Sequence, residues 1–443
     1  MKTIYVIAGG TMVHVAPHFS LCAPAYGSVG TQLRGELEWV KPQTHQIVLL
    51  QTQMCRPTER DEDEQIQVYA AAGIERLETN DDLSKLVDHL IADPNTGGIV
   101  MAAAVCDWGP SLARRDDGTL IESFGKDAPR LNSGGGDLML NMKPTAKILN
   151  RIRKTRKDIF LVGFKATTGL DEQQQYIRGL ELLKENSCNL VLANDLVNRR
   201  NMVIVPEEAR YHVTEDRHAA LRGLAEMTLA RANLRFTRSE VRGQVPKIEW
   251  EDSNIPANLR TVVDHLVERG AYKPFRGKTA GHFAARTKDP NIFITSERGT
   301  NFNKIADNGM VMVEAIGDDR VISYGGKPSV GGQSQRIIFS DHPDVDCIVH
   351  FHCEPHDEII RDGKLSLHSQ INLECGSHEC GQNTSNGLRI APDYPGVKAV
   401  MLDNHGPNIC FSRNTPADTV IQFIDDHFDL SRKTGGSVEL IAV

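Results

Sequence analysis

The eleven residues IVHFHCEPHDE (348–358) hold three histidines, a cysteine and three carboxylates, and they continue an apolar run. His350 and His352 stand at i and i+2. On a strand that spacing puts both side chains on one face, where two imidazoles can hold one cation. A third ligand has to come from elsewhere, and DNHGPN (403–408), which also follows an apolar run, offers His405. Three neutral imidazoles with open coordination positions suit a catalytic Zn²⁺ or another first-row divalent ion. Cys353, Glu354, His356 and Asp357 fall in an expected loop and rank below these three as ligands.

The first half of the chain carries a different set. Gly9, Gly10 and Thr11 follow an opening apolar run, and a second glycine-rich turn follows at AYGSVG (25–30). Glycines between a strand and a helix let the backbone approach a phosphate, whose charge then sits on the helix N-terminus. Asp107 in AAAVCDWGP (102–110), Lys165 in GFKATTG (163–169) and Asn194 in LVLANDL (190–196) each stand at the end of an apolar run. Arg130 opens a glycine-rich segment, RLNSGGGDLMLNMKPTAKIL (130–149). Polar groups at the carboxyl ends of several buried parallel strands converge on one rim, where ligands of open α/β sheets bind.

The elements that must position these groups are legible as alternating patterns. Short apolar runs at 4–10, 47–52, 98–105, 159–164 and 189–195 are unbroken rather than alternating, as expected of strands covered on both faces. Amphipathic segments lie between them, among them DDLSKLVDHLIAD (81–93) and DEQQQYIRGLELLKEN (171–186), and a helix at 215–233 closes the half. This βαβ rhythm predicts a parallel sheet with helices on both sides. Residues 1–235 are read as one domain, the polar, proline-bearing stretch 236–255 as a linker, and 256–443 as a second domain. The second half opens with a helix at 258–270 and continues with β-like runs at 291–296, 310–316, 320–326, 346–352 and 398–404. That pattern predicts an α/β or α+β domain with a central sheet.

At 443 residues the chain is too long for one ordinary core. A net charge of −8 gives no reason to expect nucleic acid as a partner. No run approaches the eighteen or so apolar residues of a membrane span, so none is expected. The nine cysteines are scattered and the N-terminus reads as a first strand rather than an export signal. A reduced, cytoplasmic protein is the expectation.

On the N-terminal GGT, the AAAVxDW strand end, Arg130-Leu131-Asn132-Ser133, the KPTAKIL helix start, the GFK and the VLAN strand end, residues 1 to about 235 resemble phosphopantothenoylcysteine synthetase. The resemblance implies a Rossmann-like fold, a dimer, and an acyl-nucleotide intermediate made from 4′-phosphopantothenate with ATP or CTP before cysteine displaces the nucleotide. It places Gly9, Gly10 and Thr11, with Gly27, Ser28, Gly30 and Ala103, against the nucleotide. Asp107 and Asn194 would hold the acyl intermediate, while Lys165 and Arg130 would neutralise charge developing at phosphate. The departures cluster on the acyl side. Ala16, Phe19 and Ala23 stand where the family has aspartate, arginine and asparagine, and Ala25-Tyr26-Gly27 replaces a serine-serine-glycine turn. Arg130 replaces a lysine, and Thr167 a glutamate.

Residues 256 to the C-terminus resemble the class II aldolase/adducin family, on TAGHFAARTKDPNIFITSERGT (279–300), KPS (327–329), PDVDCIVHFH (343–352) and VMLDNHGPNICF (400–411). This implies phosphate contacts from Gly281, Thr295, Gly299 and Ser329, with a metal on His350, His352 and His405. The family's acid/base glutamate after K-P-S is Gly331 here, and its G-N-x-S asparagine and serine are His282 and Ala284. General acid/base help is worth roughly 10²–10⁴-fold in rate. The whole chain is thus read as a two-domain metabolic enzyme, a ligase fused to a metal-dependent lyase, acting on phosphorylated small molecules and assembled as a homo-oligomer, dimer or tetramer. The other reading is a ligand-binding or regulatory protein in which one or both domains have lost catalysis.

Overall fold

The computed structural model describes residues 1–40, 44–56, 62–236, 238–243, 245–317, 320–330 and 332–435. The chain forms two compact units, residues 1–204 with 212–232, and residues 205–211 with 233–443. It is a mixed α/β protein.

The first unit is built on a seven-stranded sheet. Its parallel part runs, from one side to the other, Leu190–Asp195, Phe160–Thr167, Thr96–Met101, Lys2–Ala8 and His45–Gln51. Thr96–Met101 and all of Lys2–Ala8 after the first residue are buried, which is why these runs are apolar without alternation. The helix Asn80–Ala92 starts where its sequence says it should. Thr79 accepts from the Asp82 amide while the Asp82 carboxylate accepts from the Thr79 amide, a reciprocal capping box. The helix Ser28–Trp39 lies so close to the first strand that a Cβ on Gly30 would sit 2.4 Å from that of Ala8. Outside the sheet, Leu138–Pro144 pairs antiparallel with Trp108–Arg115, so part of the glycine-rich segment after Arg130 is a strand.

The second unit has a nine-stranded sheet, in the order Arg238–Arg242, Arg320–Tyr324, Met310–Ile316, Ile292–Ser296, His282–Arg286, Cys347–His350, Gly406–Phe411, Val397–Leu402 and Ser366–His368. Its interior pairs are antiparallel, and only the two outermost pairs are parallel. The helices Ala257–Glu268 and Ala417–His427 contribute to a core with Trp250, Tyr272, Phe283, Phe351, Phe411 and Phe428. The stretch 236–255 corrects the linker expectation. Arg238–Arg242 pairs with Arg320–Tyr324, and Trp250 and Ile255 are buried in the core of this unit. Its polar composition reflects an edge strand whose five residues are all exposed, not a free connection. None of the described helices is long and apolar enough to cross a membrane.

Replacing Gly30 with valine should overpack the contact between Ser28–Trp39 and Lys2–Ala8 and cost about 1–3 kcal/mol. Urea unfolding followed by circular dichroism measures it; an unchanged midpoint would mean that the helix is free to move away.

Candidate functional site

In the first unit the rim is built at the carboxyl ends of the parallel strands. Gly9 has φ +103°, and a Cβ there would lie 2.0 Å from Thr52 Oγ1. A Cβ on Gly10 would lie 1.9 Å from the Ala23 carbonyl. Only glycine lets the chain leave the strand this tightly. Gly27, at φ +80°, caps the helix Ser28–Trp39 with no side-chain hydrogen bond, so the first-turn amides and the exposed Ser28 are available to an anion. Ala103 follows the strand Thr96–Met101, partly exposed.

Lys165 and Asn194 lie near the ends of adjacent strands, with Lys165 opposite Ala193 and Asn194 opposite Ala166. Both are partly exposed. Asp107 is exposed and ion-paired to Lys147 at 2.7 Å, a partner that sequence reasoning did not single out. Arg130 is exposed on the segment before Leu138–Pro144. Thr11 departs from its expected place against the nucleotide. It is fully buried, and its hydroxyl donates to Asn80 Oδ1 at 2.5 Å and accepts from the Cys106 amide at 3.0 Å. It ties the first strand's end to a helix and to the loop that carries Asp107, so it shapes the rim from behind.

Sequence reasoning also missed Asp195. Its carboxylate accepts from the Thr167 hydroxyl and from the amides of Gly169, Leu170, Val197 and Asn198, at 2.9–3.1 Å. Burial alone would raise its pKa, but these donors hold it well below the usual carboxylate range. The anchored loops follow Lys165 and Asn194 directly. An aspartate right after a V-x-A-N strand end was the available signal.

In the second unit the three histidines come together. The ligand-capable nitrogens of His350, His352 and His405 all lie within 4.8 Å of one another. His350 ends the strand Cys347–His350, and His352 lies two residues past it rather than in the strand. His405 sits in the turn between Val397–Leu402 and Gly406–Phe411. Gly406 makes that turn possible, since a Cβ there would lie 2.1 Å from the Phe351 carbonyl. His350 Nδ1 lies 2.7 Å from the Pro407 carbonyl, which can only accept. Nδ1 therefore carries the proton, and Nε2 keeps its lone pair 3.2 Å from Nε2 of His405. Burial pushes the His350 pKa down to about 4, against the carbonyl's opposing pull. A neutral imidazole with its other nitrogen fixed by a carbonyl is what a divalent ion requires of a ligand. The donor set therefore fits a metal.

His282 lies beside this centre. It pairs with His350 across the sheet, with ring centroids 4.7 Å apart and its Nδ1 2.9 Å from Gln335 Nε2. Burial, then the neighbouring His350, keep it well below its ordinary pKa. Among the expected phosphate contacts, Thr295 is buried in the sheet with its hydroxyl on the Phe283 carbonyl at 3.3 Å, so it supports the strand. A Cβ on Gly281 would lie 2.5 Å from the His350 carbonyl, a packing role. Gly299 and Ser329 stay on loops, with the Ser329 amide donating to the Ser296 carbonyl. Gly331 lies outside the described residues. Glu354 is in the strand Cys353–Pro355, and Asp357 is exposed and paired with Arg432 at 3.2 Å. The nine cysteines are free thiols.

Residues 2–232, just over half of the chain, match the family of the DNA/pantothenate metabolism flavoprotein C-terminal domain. The chain belongs to this family. Residues 271–422 match the class II aldolase and adducin N-terminal domain. The chain is 26% identical over 195 residues to the coenzyme A biosynthesis bifunctional protein CoaBC of Thermococcus kodakarensis, covering 44% of this chain and 41% of that protein. It thus spans less than half the length of that relative. The DNA/pantothenate metabolism flavoprotein of Streptococcus pneumoniae aligns in structure at 19% identity with a TM-score of 0.39, over 50% of this chain and 96% of that one. The l-fuculose-1-phosphate aldolase of Thermus thermophilus aligns at 16% identity with a TM-score of 0.27, over 38% of this chain and 84% of that one. A phosphopantothenoylcysteine synthetase-like domain is therefore joined to a class II aldolase-like domain.

The buried imidazoles set a pH dependence. An unfolded histidine takes up its proton near pH ~6.5, whereas folded His350 does so only at about 4. Between these values the unfolded chain binds more protons, so stability of the metal-free protein falls as pH drops through that window. Urea midpoints of metal-free protein at pH 7.5 and pH 5 should differ more for wild type than for His350→Gln; equal differences would refute the assignment.

Proposed function

We propose that the first domain is a nucleotide-dependent carboxylate–amine ligase of the phosphopantothenate–cysteine type, and that the second is a divalent-metal-dependent lyase-type domain for a phosphorylated carbonyl compound. The observation that carries the ligase reading is that Lys165 and Asn194 both stand near the carboxyl ends of adjacent parallel strands, one residue out of register, within the 2–232 family match. In this reading ATP or CTP lays its phosphates along the glycine turn and the amides of the Gly27–Gly30 helix start. The substrate carboxylate attacks the α-phosphorus, diphosphate leaves, and the amine of cysteine then displaces the nucleotide from the acyl carbon. Lys165 and Arg130 offset the negative charge that builds on phosphate. Asn194 and Asp107 orient the acyl group, with Lys147 holding Asp107.

In the second domain His350, His352 and His405 would hold Zn²⁺ or a similar ion, which would supply Lewis acidity at a carbonyl oxygen. The Pro407 carbonyl keeps His350 in the tautomer that can act as a ligand. Burial keeps His350 neutral, so it need not lose a proton to bind.

Purified protein given 4′-phosphopantothenate, cysteine and ATP or CTP should release diphosphate only when all three are present. Lys165→Ala should lower the rate about 10²–10³-fold. Absence of release with both nucleotides would overturn the ligase reading. Separately, chelator-stripped protein should take up one Zn²⁺ per chain by metal analysis, and His350→Ala and His405→Ala should take up none. Equal uptake by wild type and both variants would place the metal elsewhere.

A further inference from the structure

A divalent ion on three neutral imidazoles keeps its full charge in a buried pocket, and an anionic neighbour is the usual compensation. The carboxylate that the family keeps after K-P-S is Gly331 in this chain. The second unit brings a different one to the centre. Glu208 belongs to the segment 205–211, which folds with this unit although it precedes most of it in sequence. Its Oε2 lies 4.0 Å from His352 Nδ1, and both side chains are largely buried.

The backbone around Glu208 is held in place from several sides. Glu208 has φ 64°, a left-handed conformation that costs free energy in any residue with a Cβ. Its neighbour Glu207 is buried and accepts from the Cys375 amide at 2.6 Å. Tyr211 donates its hydroxyl to the Asp403 carbonyl at 3.3 Å, two residues before His405. A Cβ on Gly435 would lie 2.0 Å from the Glu208 carbonyl. The residue before it, Thr434, donates its amide to the His352 carbonyl at 3.3 Å and its hydroxyl to the His405 carbonyl at 2.7 Å. One short stretch, Thr434-Gly435, thus touches both metal-ligand loops and Glu208.

We propose that Glu208 is the carboxylate of this centre. It is a positioning residue that accepts a hydrogen bond from His352 Nδ1, leaving Nε2 as the ligand atom and placing a negative charge beside the ion. The 4.0 Å separation is longer than a hydrogen bond, so the glutamate side chain must turn towards the ring when the ion binds. The negative charge that Glu208 brings to His352 compensates in part for the carboxylate absent at position 331. The inference rests on the metal reading above.

The test titrates chelator-stripped full-length protein with Co²⁺, followed by visible absorption, and with Zn²⁺ against a chromophoric chelator. Glu208→Gln and Glu208→Gly should weaken Zn²⁺ binding about 10–100-fold and change the Co²⁺ spectrum, and Glu208→Asp should restore part of both. Glu208→Gly should also raise the thermal midpoint of the metal-free protein, because glycine relieves the left-handed strain. Weaker metal binding in a more stable protein separates positioning from a structural role. Wild-type affinity and spectrum in all three variants would overturn the proposal. Failure of wild type itself to bind Co²⁺ or Zn²⁺ would overturn the metal reading first, and this inference with it.

Discussion

The second unit depends on one hydrogen bond, from His350 Nδ1 to the Pro407 carbonyl. An imidazole buried in an apolar sheet cannot keep a proton on both nitrogens without a heavy desolvation cost. With a carbonyl fixed at Nδ1, the ring is neutral, its tautomer is set, and Nε2 is left as a lone pair facing His405. The bond exists because antiparallel pairing puts His350 opposite Asn408, the residue next to Pro407. Gly406 allows the returning strand to start within contact of Phe351. Strand register therefore decides the chemistry here: a slip of one residue would turn His350 to the other face.

The first unit reaches a comparable result by other means. Its candidate residues are largely solvent-accessible, so fixed loops rather than buried rings must hold them. Asp195 does this for the loops after Lys165 and Asn194, by collecting five donors on one carboxylate. Thr11 does it for the loop that bears Asp107, from a fully buried position. Both groups spend their hydrogen bonds on backbone amides and on side chains behind the rim, and leave the rim's own side chains for ligand.

Much of this was legible in the sequence. The unbroken apolar runs marked the parallel strands because strands covered on both faces have no polar side to show. The HxH pair and His405 were found from strand periodicity and a strand-end NHG. Other features were hidden. The polar segment 238–242 looked like a linker because an exposed edge strand needs no apolar residues. Thr11 and Thr295 read as ligand contacts because a hydroxyl beside a glycine turn or in a phosphate-like motif has the same letter whether it faces a ligand or a neighbouring strand.

What the sequence determined by itself was therefore local. It set the fold class, the strand runs, the identity of the three imidazoles and the glycines that permit close turns, all properties of neighbouring residues and their periodicity. Only the tertiary structure decided which nitrogen of His350 carries its proton, that Asp195 rather than a rim residue anchors two loops, and that Glu208 arrives beside His352. Each of these joins residues from segments separated in the chain. Such pairings follow from sheet register and the packing of separate loops, and no short stretch of sequence encodes them.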